Sequence, residues 1–475
     1  MFYIAVRRIS IWDVRRRIVL QSSRGENGMA QVQTSGSAFG RVFKVVSGNF
    51  LEMFDFMVYG FYASAIAHAI FPNTSGYFSL MMSLLTFGVG FLMRPIGAIV
   101  LGAYIDRHGR RKGLIASLGI MSLGVLIITF TPNYSTIGIA APILVLIGRL
   151  LQGFSAGAES GGVSVYLAEI APPGKRGFYV AWQSASQQVA VIFAAVLGIT
   201  LRFFLSEDQI MEWGWRIPFV MGSLIVPLLF YIRRTLQETE AFEKRAATHT
   251  PTLGEIYRGL MIHWKLVLNA VLLVTLTSVM FYLITAYTPT YGKNVLNLTA
   301  RDAFMVTVCV GISNFIFVPV MGAVSDRFGR VRTLMVFSVL VALTAYPAMA
   351  WLVLEPSFER MLGVLLWLSF LYGGYQGVMV VSLTEMMPAY VRASGFSIAY
   401  SLAQAIFGGF TPAVCTWLIH STGDKAMPGA WLAASAVLSV LGVWMLHRSG
   451  APVGRGTHEA PPAVTRTGDM ARVAH

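Results

Sequence analysis

Twelve stretches of this chain are apolar for long enough, roughly 20 residues, to cross a lipid bilayer as helices. They fall at about 42–70, 78–104, 113–131, 137–168, 178–205, 216–233, 264–290, 303–324, 333–353, 361–387, 394–420 and 430–447. Only 12% of the 475 residues are charged, about half the share of a soluble protein. Lipid offers a backbone no hydrogen-bond partners, so each span must satisfy its own amides and carbonyls. The expected fold is an all-α membrane protein of twelve transmembrane helices.

The chain also repeats itself. Gly102-Ala-Tyr-Ile-Asp106-Arg107-His108-Gly109-Arg110 recurs as Gly322-Ala-Val-Ser-Asp326-Arg327-Phe328-Gly329-Arg330, each copy in a short polar gap between two apolar runs. Glu169-x-x-Pro172 with Arg176 recurs as Glu385-x-x-Pro388 with Arg392. Parallel repeats in a membrane chain build two similar bundles that move against each other around a central site. The expected organisation is an N-terminal tail (1–40), a first six-helix bundle (41–235), a polar connector (236–262), a second six-helix bundle (263–447) and a tail rich in Pro, Gly and Thr (448–475). That architecture points to a transporter.

A formal charge of +14 could suggest nucleic acid, but its placement argues for topology instead. With both termini in the cytoplasm, the outer loops hold only Arg202, Arg216, Lys293, Arg301, Arg360 and Lys425, while Arg94 and Arg149 lie inside spans. All other Lys and Arg fall on the inner side, which is the positive-inside bias. No basic soluble face interleaved with aromatics is visible, so the expected partner is the bilayer and not nucleic acid. Cys309 and Cys415 both sit in apolar spans, which supports neither a disulfide framework nor a metal cluster. The eight histidines show no metal-binding spacing such as H-E-x-x-H, which argues against a membrane-embedded enzyme. Neither tail is long enough for the signalling domain of a transport-derived sensor. The expectation is a monomer with no cofactor. Residues 1–40 are too polar for a cleavable secretory signal, and Met29 offers an alternative start.

A charge at the bilayer centre costs about 2.5–3.5 kcal/mol. Glu52, Asp55, Arg94, Arg149 and Glu159 all lie deep in first-half spans, so they must face one another, water or a ligand. Asn49, Glu52, Asp55, Tyr59 and Tyr62 fall at three- and four-residue steps and draw a polar stripe down one helical face. Two carboxylates a turn apart in low dielectric resist carrying both charges, the condition a proton-coupling site needs. The plainer alternative is that they neutralise Arg94 or Arg149.

Guanidinium groups offer carboxylate ligands a planar fork of donors, which makes Arg94 and Arg149 candidate substrate contacts. The alternative is a structural ion pair with Glu52, Asp55 or Glu159. The second half has no deep Lys or Arg, and its candidates are neutral: Tyr282, Tyr372, Gln376 and Gln404, with Tyr287, Asn314, Tyr375 and Tyr400. The first half would handle charge while the second supplies hydrogen bonds and shape.

Gly153, Gly157 and Gly161 line one face of the fourth span, where a neighbouring backbone could approach closely. In the repeated loops, Asp106 and Asp326 could bond backbone N–H groups or pair with an arginine. Gly102, Gly109 and Gly329 would allow a tight turn. Arg107, Arg110, Arg327 and Arg330 would reach the lipid headgroups. Together these residues suggest a latch holding one conformation.

The paired G-x-x-x-D-R-x-G-R loops and Arg149-Leu-Leu-Gln-Gly-Phe-Ser-Ala resemble motifs of the major facilitator superfamily, over residues 41–447. Gly48-Asn-Phe-Leu-Glu52-Met-Phe-Asp55-Phe, Met93-Arg-Pro-Ile-Gly97, Gly157-Ala-Glu159-Ser-Gly-Gly and Trp213-Gly-Trp-Arg-Ile-Pro218 resemble its metabolite:proton symporters of bacterial inner membranes. Leu150-Leu-Gln-Gly-Phe-Ser-Ala-Gly-Ala-Glu159, Tyr282-Leu-Ile-Thr285, Leu366-Trp-Leu-Ser-Phe-Leu-Tyr-Gly373 and Thr422-Gly-Asp-Lys-Ala426 resemble the citrate–proton and tricarballylate-transporting branch. The second loop departs from the first, reading Arg330-Val-Arg332 where the first has Arg110-Arg111-Lys112.

The resemblance implies two six-helix bundles and import of citrate or a related tricarboxylate, with protons as the coupling ion. It implies proton-coupling roles for Glu52, Asp55 and Glu159. Substrate contact is expected at Asn49, Arg94, Arg149, Tyr282, Tyr372, Gln376 and Gln404. Other small acids such as 2-oxoglutarate or shikimate, or zwitterions such as proline and betaine, stand as alternatives. Two deep arginines fit a polyanion better.

Overall fold

The computed structural model describes residues 49–72, 75–108, 110–157, 160–234, 254, 261–388, 392–449 and 453. Most of both tails and of the polar connector lies outside these residues. Every regular element described is helical.

The first half contains α1 (Asn49–Phe61), α2 (Ala63–Ile70), α3 (Gly76–His108), α4 (Arg110–Phe130), α5 (Ala140–Ala156), α6 (Ser160–Ile170), α7 (Arg176–Phe204) and α8 (Arg216–Arg234). The second contains α9 (Trp264–Ile284), α10 (Thr288–Asn294), α11 (Ala300–Phe328), α12 (Arg330–Leu354), α13 (Phe358–Met386), α14 (Arg392–Ala403), α15 (Thr411–Thr422) and α16 (Met427–Ser449). Ten segments are each long and apolar enough to cross a membrane, and α1 with α2 forms an eleventh. The 19-residue α8, apolar over Arg216–Pro227, completes the twelve crossings. Leu224, Leu343 and Leu354 are among the large apolar side chains left facing outward, as lipid contact requires.

The first span is not the single helix expected over 42–70. It bends by 67° between α1 and α2, where Tyr62 leaves helical geometry at φ −106° and ψ 18°. The Tyr62 N–H still donates to Val58 O (3.1 Å) and Tyr62 O accepts from Ile66 N–H (2.9 Å), so the bend leaves the ladder connected. Tight packing accompanies it: a Cβ on Gly60 would lie 3.0 Å from Ala286 Cβ of the second half. The eleventh span is also interrupted, by a π-turn over Gln404–Gly408. Such wide turns recur at functional sites.

The glycine face of the fourth span has a direct structural consequence. A Cβ on Gly153 would lie 1.7 Å from Gly90 O, and one on Gly157 would lie 2.0 Å from Arg94 O. From the opposite side, a Cβ on Gly97 would lie 1.8 Å from Phe154 O. Helices α3 and α5 therefore touch backbone to backbone, which brings Arg94 of one and Arg149 of the other close together.

Gly97→Val forces these backbones apart and should cost about 3 kcal/mol or more, beyond ordinary core overpacking. Thermal unfolding in detergent measures it, with Gly102→Ala as control, since a methyl there meets nothing within 4 Å. A wild-type midpoint for Gly97→Val would show that the contact is dispensable.

Candidate substrate and proton site

Four ionisable side chains meet where the first and second halves face each other. Arg94, on α3 one residue before Pro95, is 4% exposed and pairs with Glu52 of α1 at 3.1 Å. Its other terminal nitrogen donates to Gln404 Oε1 across the interface between the halves. The π-turn begins at Gln404 and so helps to place that acceptor. The rings of Phe56 and Phe91 each lie 4.5 Å from the Arg94 guanidinium carbon. Breaking a buried ion pair of this kind by removing one partner costs about 3–5 kcal/mol.

Arg149, fully buried on α5, is differently served. It donates to Gln152 Oε1 one turn on (2.7 Å), while Phe87 O lies at 3.5 Å. Among the described residues it forms no ion pair with a carboxylate. Aromatic faces surround it instead: Phe56 at 4.5 Å, Tyr59 at 4.6 Å and Phe87 at 5.0 Å. Phe56 thus carries both guanidinium groups. Ring quadrupoles attract a desolvated cation by about 2 kcal/mol each, less than an anion would provide.

Asp55, one turn from Glu52, is 0% exposed, and neither of its oxygens has a hydrogen-bond partner among the described residues. Gly222 of α8 makes the room, since a Cβ there would lie 2.8 Å from Asp55 Oδ1. A carboxylate held this way is expensive to keep charged. The polar stripe of α1 thus divides into Glu52, ion-paired with Arg94, and Asp55, without a described hydrogen bond.

The neutral candidates of the second half fall into two groups. Tyr282 packs its ring against Phe91 at 5.1 Å and Phe87 at 5.9 Å, closing the aromatic wall around the arginines, and its buried hydroxyl has no hydrogen-bond partner among the described residues. Tyr372 contacts Phe281, and Gln376 accepts from Thr277 and donates to Ser184 Oγ of α7 at 2.7 Å. Gln376 is therefore a cross-half tie, as is Asn314, which donates to Gln188 Oε1 at 3.2 Å. The side chain of Asn49, and Glu159 altogether, lie outside the described residues.

At one end of the interface, the second repeated loop makes a specific contact. The Asp326 carboxylate accepts from the backbone N–H groups of Gly177 (2.8 Å) and Phe178 (3.2 Å), at the start of α7. It also accepts from Arg330 at 3.1 Å. An acidic group at a helix N-terminus satisfies free amides and meets the positive end of the dipole. Gly177 and Gly322 allow the approach: a Cβ on Gly177 would lie 2.3 Å from Gly322 O.

Arg330 does not reach the lipid headgroups as expected. It is 5% exposed and holds Glu385 with two bonds, at 2.6 and 2.8 Å, because the buried carboxylates of Asp326 and Glu385 demand a counter-charge. Arg327 is exposed, and Gly329 at φ +89° makes the turn between α11 and α12. In the first loop, a Cβ on Gly102 would meet nothing within 4 Å. The side chains of Asp106, Arg107 and Arg110, and Gly109 altogether, lie outside the described residues.

At the other end, Glu207 bridges Arg202 (3.2 Å) and Lys293 of the second half (2.5 Å). Partial burial pushes the Glu207 carboxyl up, but the Lys293 hydrogen bond and the Arg202 charge outweigh it and leave it below its usual value. The tie is thus present above the ordinary carboxylate range and is lost as pH falls below it. Asn294 Nδ2 donates to Ser64 Oγ (2.9 Å), and Tyr77 stacks on His420 at 3.8 Å. The halves therefore touch at both ends of the buried cluster.

Several participants carry no signal in the sequence. Phe56, Phe87 and Phe91 read as ordinary apolar core, and only contact reveals them as faces for the guanidiniums. Gln152 had a visible signal, standing one turn after Arg149. The role of Glu385 as partner of Arg330 was foreshadowed only by its recurrence.

A charged, aromatic-walled centre buried between two sets of membrane-spanning helices belongs to a multi-pass membrane protein built around an internal site. The chain is a member of the Major Facilitator Superfamily, whose family model matches residues 45–412. It is 57% identical over 408 residues to the citrate-proton symporter of Salmonella typhi, covering 86% of this chain and 94% of that one. To the citrate-proton symporter of Klebsiella pneumoniae it is 56% identical over 416 residues, covering 88% and 93%. The crystal structure of a D-xylose-proton symporter matches with a TM-score of 0.70 at 18% identity, covering 89% of this chain and 99% of that one. At that identity the likeness is one of fold.

Proposed function

We propose that this protein is a secondary active transporter that imports citrate, or a closely related tricarboxylate, together with protons. The carrying observation is Arg149, a fully buried guanidinium walled by aromatic rings, with no carboxylate among the described residues paired to it. The high identity to two citrate-proton symporters supports the choice of acid.

In this reading the Arg94–Glu52 pair is electrically neutral, and Asp55 and Arg149 form the working couple. With Asp55 ionised, its charge offsets that of Arg149 and competes with an incoming anion. When Asp55 takes a proton, Arg149 is left to a substrate carboxylate. Proton and anion therefore favour the same closed, charge-compensated state, which is the linkage symport requires. Tyr282 and Gln404, beside the arginines, would orient the substrate from the second half. Asn49, Tyr372 and Gln376 complete its surroundings, and Glu159 contributes to coupling.

The protein would act as a monomer in a bacterial inner membrane, as two six-helix bundles (41–235 and 263–447) joined by the 236–262 connector. Both tails would be cytoplasmic, with the Asp326 contact at the inner face and the Glu207 contact at the outer face. The inner latch would comprise Gly102, Asp106, Arg107, Gly109 and Arg110 with Asp326, Arg327, Gly329 and Arg330.

Uptake of labelled citrate into vesicles, with and without an imposed pH gradient, tests the function. Tricarballylate, 2-oxoglutarate, shikimate and proline serve as competitors. Uptake indifferent to the gradient would remove proton coupling, and competition by proline alone would remove the polyanion.

Asp326→Asn should loosen the inner latch. Losing a charged helix cap costs about 1–2 kcal/mol, or on the order of a tenfold shift in population. A cysteine placed at Ala181, fully buried beside Gly322, should react about tenfold faster with an impermeant maleimide applied from the inner side. The background for this test lacks Cys309 and Cys415. Unchanged reactivity would mean that Asp326 does not control the inner opening.

A further inference from the structure

A small hollow, open to solvent, lies between the halves at the end away from Asp326, with Tyr62, Arg202, Glu207, Lys293 and Phe304 among its walls. Two cations from different halves converge there on one carboxylate. Arg202 Nε donates to Glu207 Oε1 at 3.2 Å, and Lys293 Nζ donates to Oε2 at 2.5 Å. Arg202 is held in place. Its side chain is 14% exposed, it donates to Gly198 O (3.0 Å), and its guanidinium carbon lies 4.7 Å from the Phe304 ring centroid. Glu207 is the loosest member, with 47% of its side chain exposed. The carboxylate thus fills a two-point anion site, one of whose donors, Arg202, is better fixed than the acceptor.

We infer that this hollow is an entry site for the carboxylates of the transported acid, and that Glu207 occupies it in the acid's absence. The inference rests on the polyanion reading of the central site. An incoming carboxylate takes the places of Glu207 Oε1 and Oε2 on Arg202 and Lys293, so neither cation is ever bared. The exchange releases the Glu207–Lys293 tie between the halves, which lets the outer end part only when substrate is present. One wall of the hollow belongs to the helix of the central site. Tyr62 lines it and lies seven residues from Asp55 along the stripe that carries Tyr59, a path of about 10 Å at helical rise.

The test compares Lys293→Gln with Glu207→Gln in proteoliposomes, reading half-saturating citrate concentration and maximal uptake rate separately. An exposed charge contact is worth about 1 kcal/mol or less, which sets changes of about fivefold or less. Lys293→Gln removes a donor and should raise the half-saturating concentration about fivefold. Glu207→Gln removes the competing anion and should lower it about threefold. A tie that merely locks the outer end predicts the same direction for both variants, because each breaks the same pair. Shifts in the same direction, or none, would overturn the entry site. Lack of citrate uptake by the unmodified protein would instead overturn the function on which it rests.

Discussion

Arg149→Ala lowers the initial rate of citrate uptake by on the order of 100-fold, while the protein still reaches the membrane in normal amount. The first half of that expectation follows from the bond lost. A fully buried guanidinium facing a carboxylate contributes about 2–5 kcal/mol to holding it, and each 1.4 kcal/mol is tenfold. The second half follows from what is left behind. Among the described residues Arg149 has no ion-paired carboxylate to strand, and its hydrogen bonds go to Gln152 and Phe87 O. Arg94→Ala differs in kind, because it leaves Glu52 buried without its guanidinium. That variant should lose folded protein as well as transport. Arg149→Lys should recover little, since an ammonium lacks the fork and stacks less well on the three aromatic faces. Uptake assays normalised to the amount of protein in the membrane decide the matter. Uptake by Arg149→Ala within a few-fold of wild type would take Arg149 out of the substrate site.

Asp55→Asn abolishes accumulation driven by a pH gradient and leaves citrate exchange across the membrane intact. An amide fills the space beside Gly222 as a protonated carboxyl does, but it neither gains nor loses a proton. The variant is thus fixed in the anion-accepting form, so exchange of internal for external citrate continues. Each coupled proton is worth about 1.4 kcal/mol per pH unit, a tenfold concentration ratio. A wild-type vesicle with a one-unit gradient should therefore exceed the variant by about tenfold in accumulated citrate for every proton carried at this site. Full gradient-driven accumulation by Asp55→Asn would place the coupling proton elsewhere. Loss of exchange together with accumulation would show that Asp55 holds the site together and does not couple it.

Both variants depend on features that are unequally visible in the chain. That Glu52, Asp55, Arg94 and Arg149 must avoid lipid followed from the cost of charge in a bilayer, and all four are buried. Which acid takes which base did not follow. Glu52 and Asp55 lie one turn apart on the same face, and either could have met either arginine. The same limit applies to the latch. The recurrence of Asp326 marked it as meaningful, but Arg330 could not be told from a headgroup-seeking arginine until Glu385 was seen beside it. The aromatic faces of Phe56, Phe87 and Phe91 lay still further from view, because a phenylalanine in an apolar run has the same pattern whether it meets leucine or guanidinium.

Length and polarity of the apolar runs, read alone, set the number of crossings and their helical state, because a backbone in lipid has no other way to satisfy its hydrogen bonds. The recurring loops and the glycine spacing of the fourth span also belonged to the linear chain, since both depend on residues near one another in order. The bend at Tyr62, the π-turn at Gln404, the Arg94–Glu52 pairing and the lack, among the described residues, of an ion pair at Arg149 and of a hydrogen bond at Asp55 were settled only in three dimensions. Each depends on side chains that distant segments bring together, and helical periodicity carries no information about what stands on the facing helix.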